Sequence, residues 1–359
     1  MNLWPNLTKN NYMKLHDKKN NFQKYEHIES VLMWGRGSDE KKELSFFIPA
    51  FRRMDTLKTT VESILQQDDV LNYEIIIVDN SGDTSYENLI YQYVKKLHNE
   101  RISLYVNREN IGMIGNWNRG VEIAKTDYVA MLHDDDLLAG NYLNTIVKVI
   151  TFARKKERFG FVKVQFADYY EQDSLPIIDD LDNETYLNKM TCMQSLFIGI
   201  GPTSCPTCGM IFSRGSFIDA GGFDELYYPS ADYILGYQMI KYGYEGYILN
   251  KTLSYYRIGI NESTKKDINI GFVMADYYFR EYMYSEDKTR KLFGELFRNV
   301  QYTMSVDGLY DNAKRFGVSI EKCELDFRHN YGDFCILNFL FRVLRKIYFV
   351  TTSEKIIID

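Results

Sequence analysis

Asp127-Tyr128-Val129-Ala130-Met131-Leu132-His133-Asp134-Asp135-Asp136-Leu137-Leu138 is the stretch on which the reading of this chain turns. Its apolar run, Tyr128 to Leu132, predicts a short buried strand. The run stops at three consecutive carboxylates. Adjacent acids repel one another, and burying them without partners is costly. Two arrangements relieve that cost at a strand end. In one, the acids are solvated and Asp135 or Asp136 caps the next helix. In the other, a hard divalent cation such as Mg2+ or Mn2+ holds them. Such ions often take one or two carboxylates together with the phosphates of a substrate.

Similar punctuation recurs upstream. Leu44 to Ile48 is a short apolar run closed by Pro49, which cannot donate to a ladder. Tyr73 to Val78 is a second run, ending in Asp79-Asn80-Ser81-Gly82. Ile102 to Val106 is a third, followed by Asn110-Ile111-Gly112. Helical spacings lie between them, over Met54–Gln67, Tyr86–Leu97 and Asn116–Ala124. This β-α-β alternation predicts an α/β protein with a mostly parallel sheet covered on both faces. Ligands of such sheets bind outside the carboxyl ends of the strands. Pro49, Phe51, Arg52, Asp79, Ser81, Asn110, Gly112 and the acids at 134–136 all fall there.

Composition bounds the class. The 359 residues suffice for one large or two ordinary domains. Hydrophobic content of 45% with 26% charged residues is that of a soluble globular protein. A net charge of −6 argues against a nucleic-acid partner. Five cysteines, odd in number and irregularly spaced, do not make a secreted disulfide framework. Neither a signal-peptide pattern nor a membrane-spanning run is present, so the expected compartment is the cytoplasm.

The remaining elements are coarser. Met1 to Glu43 reads as an extension and linker, with a helix over Tyr25–Trp34. Residues 141–264 add helices at Asn141–Lys156 and Ala231–Tyr242 and strands at Phe159–Asp168, Met210–Phe212, Gly246–Leu249 and Leu253–Arg257. An acidic surface loop is expected over Asp173–Asn188. From 265 to 359 the pattern is helical, in segments Phe272–Tyr284, Lys288–Val306, Tyr310–Phe316 and Phe334–Phe349. The last carries Arg342, Arg345 and Lys346 beside apolar residues. A basic amphipathic helix suits either an anionic membrane surface or packing on the domain or on a dimer partner.

Taken together, these residues resemble the inverting, GT-A fold glycosyltransferases of family 2. The pieces that carry the resemblance are Ser45 to Arg52, Glu74 to Asp83, Asn110-Ile111-Gly112 with Asn118-Arg119-Gly120, and His133 to Asp136. Gly221-Gly222-Phe223-Asp224-Glu225 and Tyr255-Tyr256-Arg257 complete them, so the likeness spans 44–264. Residues 44–140 would form the nucleotide-sugar half and 141–264 the acceptor half.

The resemblance implies a Rossmann-like sheet and transfer from a nucleotide-diphospho-sugar, UDP-linked, to a glycan or lipid-linked acceptor. It assigns Pro49, Phe51, Arg52, Asp79 and Ser81 to the nucleotide, and Asn110 and Gly112 to the ribose or diphosphate. Asp134 falls near the ribose, Asp135 and Asp136 at a Mn2+ or Mg2+ ion, and Arg257 at the diphosphate. The general base falls on Asp232 at the start of a helix, with Asp224 and Glu225 competing. Relatives carry an acidic pair there, whereas Ala231 precedes the Asp here. His133 replaces a frequent Asp, and Gly259 stands where many relatives have His.

The alternatives are a nucleotide-binding relative without catalysis, or a nucleotidyltransferase. The latter would carry a Gly-rich basic loop after the first strand. An NAD-dependent oxidoreductase requires G-x-G-x-x-G at that place, where Pro49-Ala50-Phe51-Arg52 stands. Cys205-Pro206-Thr207-Cys208 lacks the second ligand pair of a structural zinc site and reads as a loop beside the acceptor.

Overall fold

The computed structural model describes residues 4–171, 173–178, 184–199, 207–259 and 264–358. Among them a single sheet of eleven strands runs through the molecule. The strands are β1 (Ser30–Trp34), β2 (Leu44–Ala50), β3 (Tyr73–Asp79), β4 (Ile102–Asn107), β5 (Tyr128–Met131) and β6 (Leu137–Leu138). They continue with β7 (Phe159–Tyr169), β8 (Tyr186–Lys189), β9 (Met210–Ser213), β10 (Glu245–Arg257) and β11 (Lys355–Ile357). Their spatial order is β1-β4-β3-β2-β5-β9-β7-β10-β8-β11, and β6 pairs with β10. The block β4-β3-β2-β5 is parallel, as is β7 with β10. Strand β9 runs antiparallel between β5 and β7, and β1, β8 and β11 are antiparallel additions at the edges.

Helices α1 (Lys9–Tyr12), α2 (Met54–Leu65), α3 (Leu89–Leu97), α4 (Gly112–Ile123), α5 (Tyr142–Ala153) and α6 (Cys192–Ile198) come first along the chain. After them come α7 (Arg214–Asp219), α8 (Ala231–Lys241), α9 (Lys266–Ser285), α10 (Lys288–Arg315), α11 (Lys322–Leu325) and α12 (Cys335–Thr352). Successive strand residues face opposite layers. Phe46 and Ile48 therefore pack with Leu57 and Val61 of α2 and Ile146 of α5. Phe47, between them, packs with Val121 of α4, Phe217 of α7 and Leu235 of α8. Both faces of the central strands are covered, which is why those strands read as continuous apolar runs.

The terminal segments differ from the sequence reading. Residues 30–34 form strand β1, in place of the helix expected over Tyr25–Trp34. Pairing of Ser30 with Asn107 and Val31 with Val106 covers the open edge of β4. That tertiary pairing outweighs a weak local helical preference. Part of the acidic loop expected over Asp173–Asn188 is strand β8, and β11 pairs with it. The two strands expected at Gly246–Leu249 and Leu253–Arg257 are one strand, β10, with register shifts between them. Helix α10 runs unbroken through Gly308, joining two expected segments. Cys205 and Pro206 lie outside the described residues.

Residues 1–43 and 265–359 were expected outside the main domain, yet both contribute strands to its sheet. The N-terminal arm also spans the back of the molecule. Leu7, Tyr12 and Leu15 bury themselves against Phe279 and Met283 of α9 and Tyr237 of α8. Further on, the Asn21 amide donates to the Gly221 carbonyl at 3.0 Å. Lys19 reaches Asp224 at 3.1 Å.

Gly221 marks how closely the arm approaches. Its φ is +96°, and a Cβ there would stand 1.8 Å from the Lys19 carbonyl oxygen. Gly221→Ala should therefore destabilise by about 2 kcal/mol or more, combining backbone strain with displacement of the arm. A urea titration monitored by circular dichroism measures it. An unchanged midpoint would mean that the arm is not docked at this turn.

Candidate functional site

The carboxyl ends of β2, β3 and β5 open onto one cavity of about 760 Å³. Pro49, Phe51, Arg53, Asn80, Asn110 and Gly112 line one side. Asp134, Asp135 and Asp136 form its floor, and Asp232 and Tyr233 of α8 lie among the residues of the other side. Helix α10 adds Leu309, Asn312 and Arg315 to the wall.

The acidic turn is built from below and from the side. Phe51 donates its backbone N–H to Asp134 Oδ2 at 3.1 Å. Arg53 places a guanidinium nitrogen 2.6 Å from Asp135 Oδ2 and 3.6 Å from Asp134 Oδ1. The Arg257 amide donates to Asp136 Oδ1 at 3.1 Å, and its Nε donates to the Asp135 carbonyl at 2.9 Å. Burial, and then the neighbouring Asp135, push the Asp134 carboxyl up to about 7. The same two causes raise Asp136. Asp136 Oδ2 is buried with no hydrogen-bond partner among the described residues. The acids cap no helix: α5 starts beyond them, with Asn141 at its N-cap position.

The nucleotide-side loops are held by amides. Asp79, buried at the end of β3, accepts from Ser81 N at 2.9 Å, Ser81 Oγ at 2.7 Å and Asn88 Nδ2 at 2.7 Å. Burial still raises its pKa above the ordinary carboxylate value. Asn80 donates to Asn110 Oδ1 and to the Gly112 carbonyl, and accepts from Asn107 Nδ2 and the Ile111 amide. Asn107 donates also to Asn116, which donates to the Val78 carbonyl. This buried chain of amides fixes the β3 and β4 ends relative to α4. Gly112 opens α4 at φ +74° with open space where a Cβ would stand. A ligand can therefore approach its backbone closely.

Across the cavity, Asp232 sits in the first turn of α8. Its carboxyl is half-buried and lines the cavity. Burial raises its pKa, opposed by Lys163 and, more weakly, by His133. Ser230 is the N-cap residue, without a side-chain hydrogen bond to the helix. The His133 imidazole bonds Thr207 Oγ1 at 2.7 Å and meets the Trp117 ring edge-on at 5.0 Å between centroids. Burial lowers its pKa, which favours the neutral ring. Asp224 and Glu225, the competing carboxylates, are engaged by the N-terminal arm. Lys19 pairs with Asp224, while Lys24 and the Tyr25 hydroxyl hold Glu225.

Most residues singled out in the sequence meet at this cavity, and four do not line it: Asp79 and Ser81, which flank Asn80 at the end of β3, and Arg52 and Arg257. Arg257 is buried beneath the acidic turn, bonded to Thr59 at 3.2 Å, facing Glu171 at 3.4 Å and stacked over the Tyr169 ring. It shapes the turn and is not among the cavity-lining residues, contrary to its expected place at a diphosphate. Arg52 is exposed at φ +57° with its guanidinium over the Phe51 ring. The cations that line the cavity are Arg53 and Arg315. Arg53 follows Arg52 directly, and sequence alone does not say which of two adjacent residues turns inward. Asn80 stands out in the sequence only as part of the strand end Asp79-Asn80-Ser81, and Asn107 and Asn116 not at all as site residues, because buried amides carry no periodic signal.

No cluster of three or more His, Cys, Asp or Glu side chains is arranged to hold a metal among the described residues. The turn does offer carboxylate oxygens on adjacent residues, one of them the unpartnered Asp136 Oδ2. A hard divalent ion that draws its other ligands from water and a diphosphate fits such a donor set.

A sheet with a parallel β4-β3-β2-β5 block, an acidic turn at a strand end and a crevice beside it define a GT-A type protein. The family model described as "Glycosyl transferase family 2" matches residues 45–217, just under half of the chain, and that segment is similar to the family 2 glycosyltransferases. One curated relative is the GalNAc(5)-diNAcBac-PP-undecaprenol beta-1,3-glucosyltransferase of Campylobacter jejuni. It is 30% identical over 30% of this chain and 34% of that protein. Another is the UDP-Glc:alpha-D-GlcNAc-diphosphoundecaprenol beta-1,3-glucosyltransferase WfaP of Escherichia coli. It is 25% identical over 60% of this chain and 77% of that one. The chain spans only about a third of the first relatives it matches, 36% and 34% of their lengths. Among solved structures, the mannosyltransferase PcManGT from Pyrobaculum calidifontis shares the fold, with a TM-score of 0.51 and 11% identity over 96% of this chain and 99% of that one.

The Arg53 contact yields a test. Its side chain is about one-third exposed, whereas that of Asp135 is buried. Arg53→Ala leaves the acids without this counter-charge and should destabilise by on the order of 2 kcal/mol, reduced from a fully buried pair by solvent. Asp135→Asn introduced into that background should recover part of the loss. Urea titrations of the single and double variants measure both. Additive losses would show that the pair does not couple.

Proposed function

We propose that this chain transfers a sugar from UDP-sugar to a hydroxyl of a glycan or lipid-linked acceptor, with Asp232 as general base. The observation that carries this reading is one shared cavity. In it the acidic turn and the amide-held loops lie on one side and the Asp232 carboxylate, its pKa raised by burial, on the other. The family match over residues 45–217 supports the reaction class. The name of WfaP, a UDP-Glc-dependent enzyme acting on a diphosphoundecaprenol-linked sugar, supports the nucleotide and the acceptor class.

Pro49, Phe51, Asp79 and Ser81 bind the base and ribose in this reading, with Asn110 and Gly112 beside the diphosphate. Asp134 holds the loop at Phe51 and so positions the ribose. Arg53 is placed to fork a phosphate. Asp135 and Asp136 would hold Mn2+ or Mg2+, which when bound supplies Lewis-acid neutralisation of the departing diphosphate. Asp232 takes the acceptor hydroxyl proton as that oxygen attacks the anomeric carbon from the opposite face. The bond from the anomeric carbon to the diphosphate oxygen breaks, UDP leaves, and the configuration inverts.

The pH sign follows from Asp232. A base works only when deprotonated, and burial raises this pKa above the ordinary value for Asp. The rate should therefore fall with acidification at a pH higher than an exposed Asp would give. Asp232→Asn should lower turnover by roughly 10²- to 10⁴-fold while leaving UDP affinity intact. Calorimetric titration of UDP and GDP, with and without Mn2+, on the wild type and Asp135→Ala measures the donor side. Metal-dependent UDP binding that Asp135→Ala removes is the expected result. Binding of neither nucleotide by a folded protein would overturn the assignment.

A further inference from the structure

Helix α12 presents an apolar face that nothing in the chain covers among the described residues. Ile336, Phe339, Ile347 and Val350 are 78%, 66%, 54% and 75% exposed. With Leu340, Val343 and Leu344, also exposed, they recur at helical spacing. At 100° per residue the seven fall on one contiguous stripe. The opposite face is the one that packs. Phe341 is buried against Phe297 and Val300 of α10, and Phe197 of α6 stacks on Tyr348 at 4.7 Å. Leu292 and Leu296 of α10, each one residue before a phenylalanine of that packed cluster, are exposed as well.

The charges on α12 have one sign. The helix carries Arg342, Arg345 and Lys346 and no Asp or Glu. Arg342 and Lys346 are exposed and border the apolar stripe. Arg345 is half-buried near Arg280 and Arg342, and both neighbours are cations. Two copies joined through this face would bring like charges together. An anionic lipid surface accepts the apolar stripe and neutralises the cations at once. No helix among the described residues is long and apolar enough to cross a membrane, so α12 would lie in the interface plane.

We propose that α12 docks the protein on anionic bilayers, its apolar stripe inserted among the acyl chains and Arg342 and Lys346 at the lipid phosphates. The position matters for catalysis, a point that rests on the transfer reading above. The same helix α10 that carries Phe297 and Val300 against α12 lines the cavity with Leu309, Asn312 and Arg315. The two stations are roughly 20 Å apart along the helix axis. A sugar attached to a membrane lipid by a diphosphate would thus be presented near the cavity.

The test is co-sedimentation of the full chain with phosphatidylcholine vesicles, with and without phosphatidylglycerol. Binding to the anionic vesicles, weakened by salt, is expected. Arg342→Gln with Lys346→Gln should weaken it roughly thirtyfold, and Phe339→Ser with Ile347→Ser should abolish it. Both pairs are exposed, so circular dichroism and UDP titration should be unchanged. Failure of the wild type to bind anionic vesicles would overturn the proposal. So would a wild-type dimer, seen by light scattering, that Phe339→Ser with Ile347→Ser converts to monomer. Vesicle binding without UDP binding would sink the transfer reading and leave the docking face standing.

Discussion

Three adjacent carboxylates at the end of a buried strand are the constraint on which the site depends. Burial and mutual repulsion make the turn costly, and three neighbouring residues offset that cost. The Phe51 amide and the Arg53 guanidinium come from the end of β2, and Arg257 comes from the end of β10. These contacts tie the β4-β3-β2-β5 block of the sheet to the β7-β10 pair. Asp134 and Asp136 nevertheless keep raised pKa values, and one oxygen of Asp136 stays unpartnered. The turn is thus a carboxylate set not fully neutralised by the protein, as expected of a place where a cationic ligand completes the charge balance.

The segments flanking the central domain do more than trail from it. Strand β1 covers one sheet edge, while β8 and β11 extend the other. The N-terminal arm neutralises Asp224 and Glu225, whereas Asp232 lines the cavity with no arm residue upon it. Helices α9 and α10 close one side of the cavity, where Arg315 pairs with Asp168 and the Tyr170 hydroxyl donates to the Arg315 carbonyl at 3.0 Å. The cavity wall is therefore shared between the sheet and the helical tail. The tail also carries the α12 face, so the cavity wall and that exposed face belong to one helical layer.

The sequence by itself determined the alternating βαβ core, the carboxyl-end location of the site and the acidic turn. Each is written in local pattern: apolar runs of strand length, helical periodicity, and Pro49, Asp79 and Asp134 punctuating strand ends. Tertiary structure alone decided which of Arg52 and Arg53 faces the cavity. It decided likewise that Arg257 braces the turn from beneath, and that 30–34 is a strand on the edge of β4. Those outcomes depend on partners distant in the chain, such as Asp135 for Arg53 and Asn107 for Ser30. Local propensity cannot encode a partner that only the folded sheet brings near.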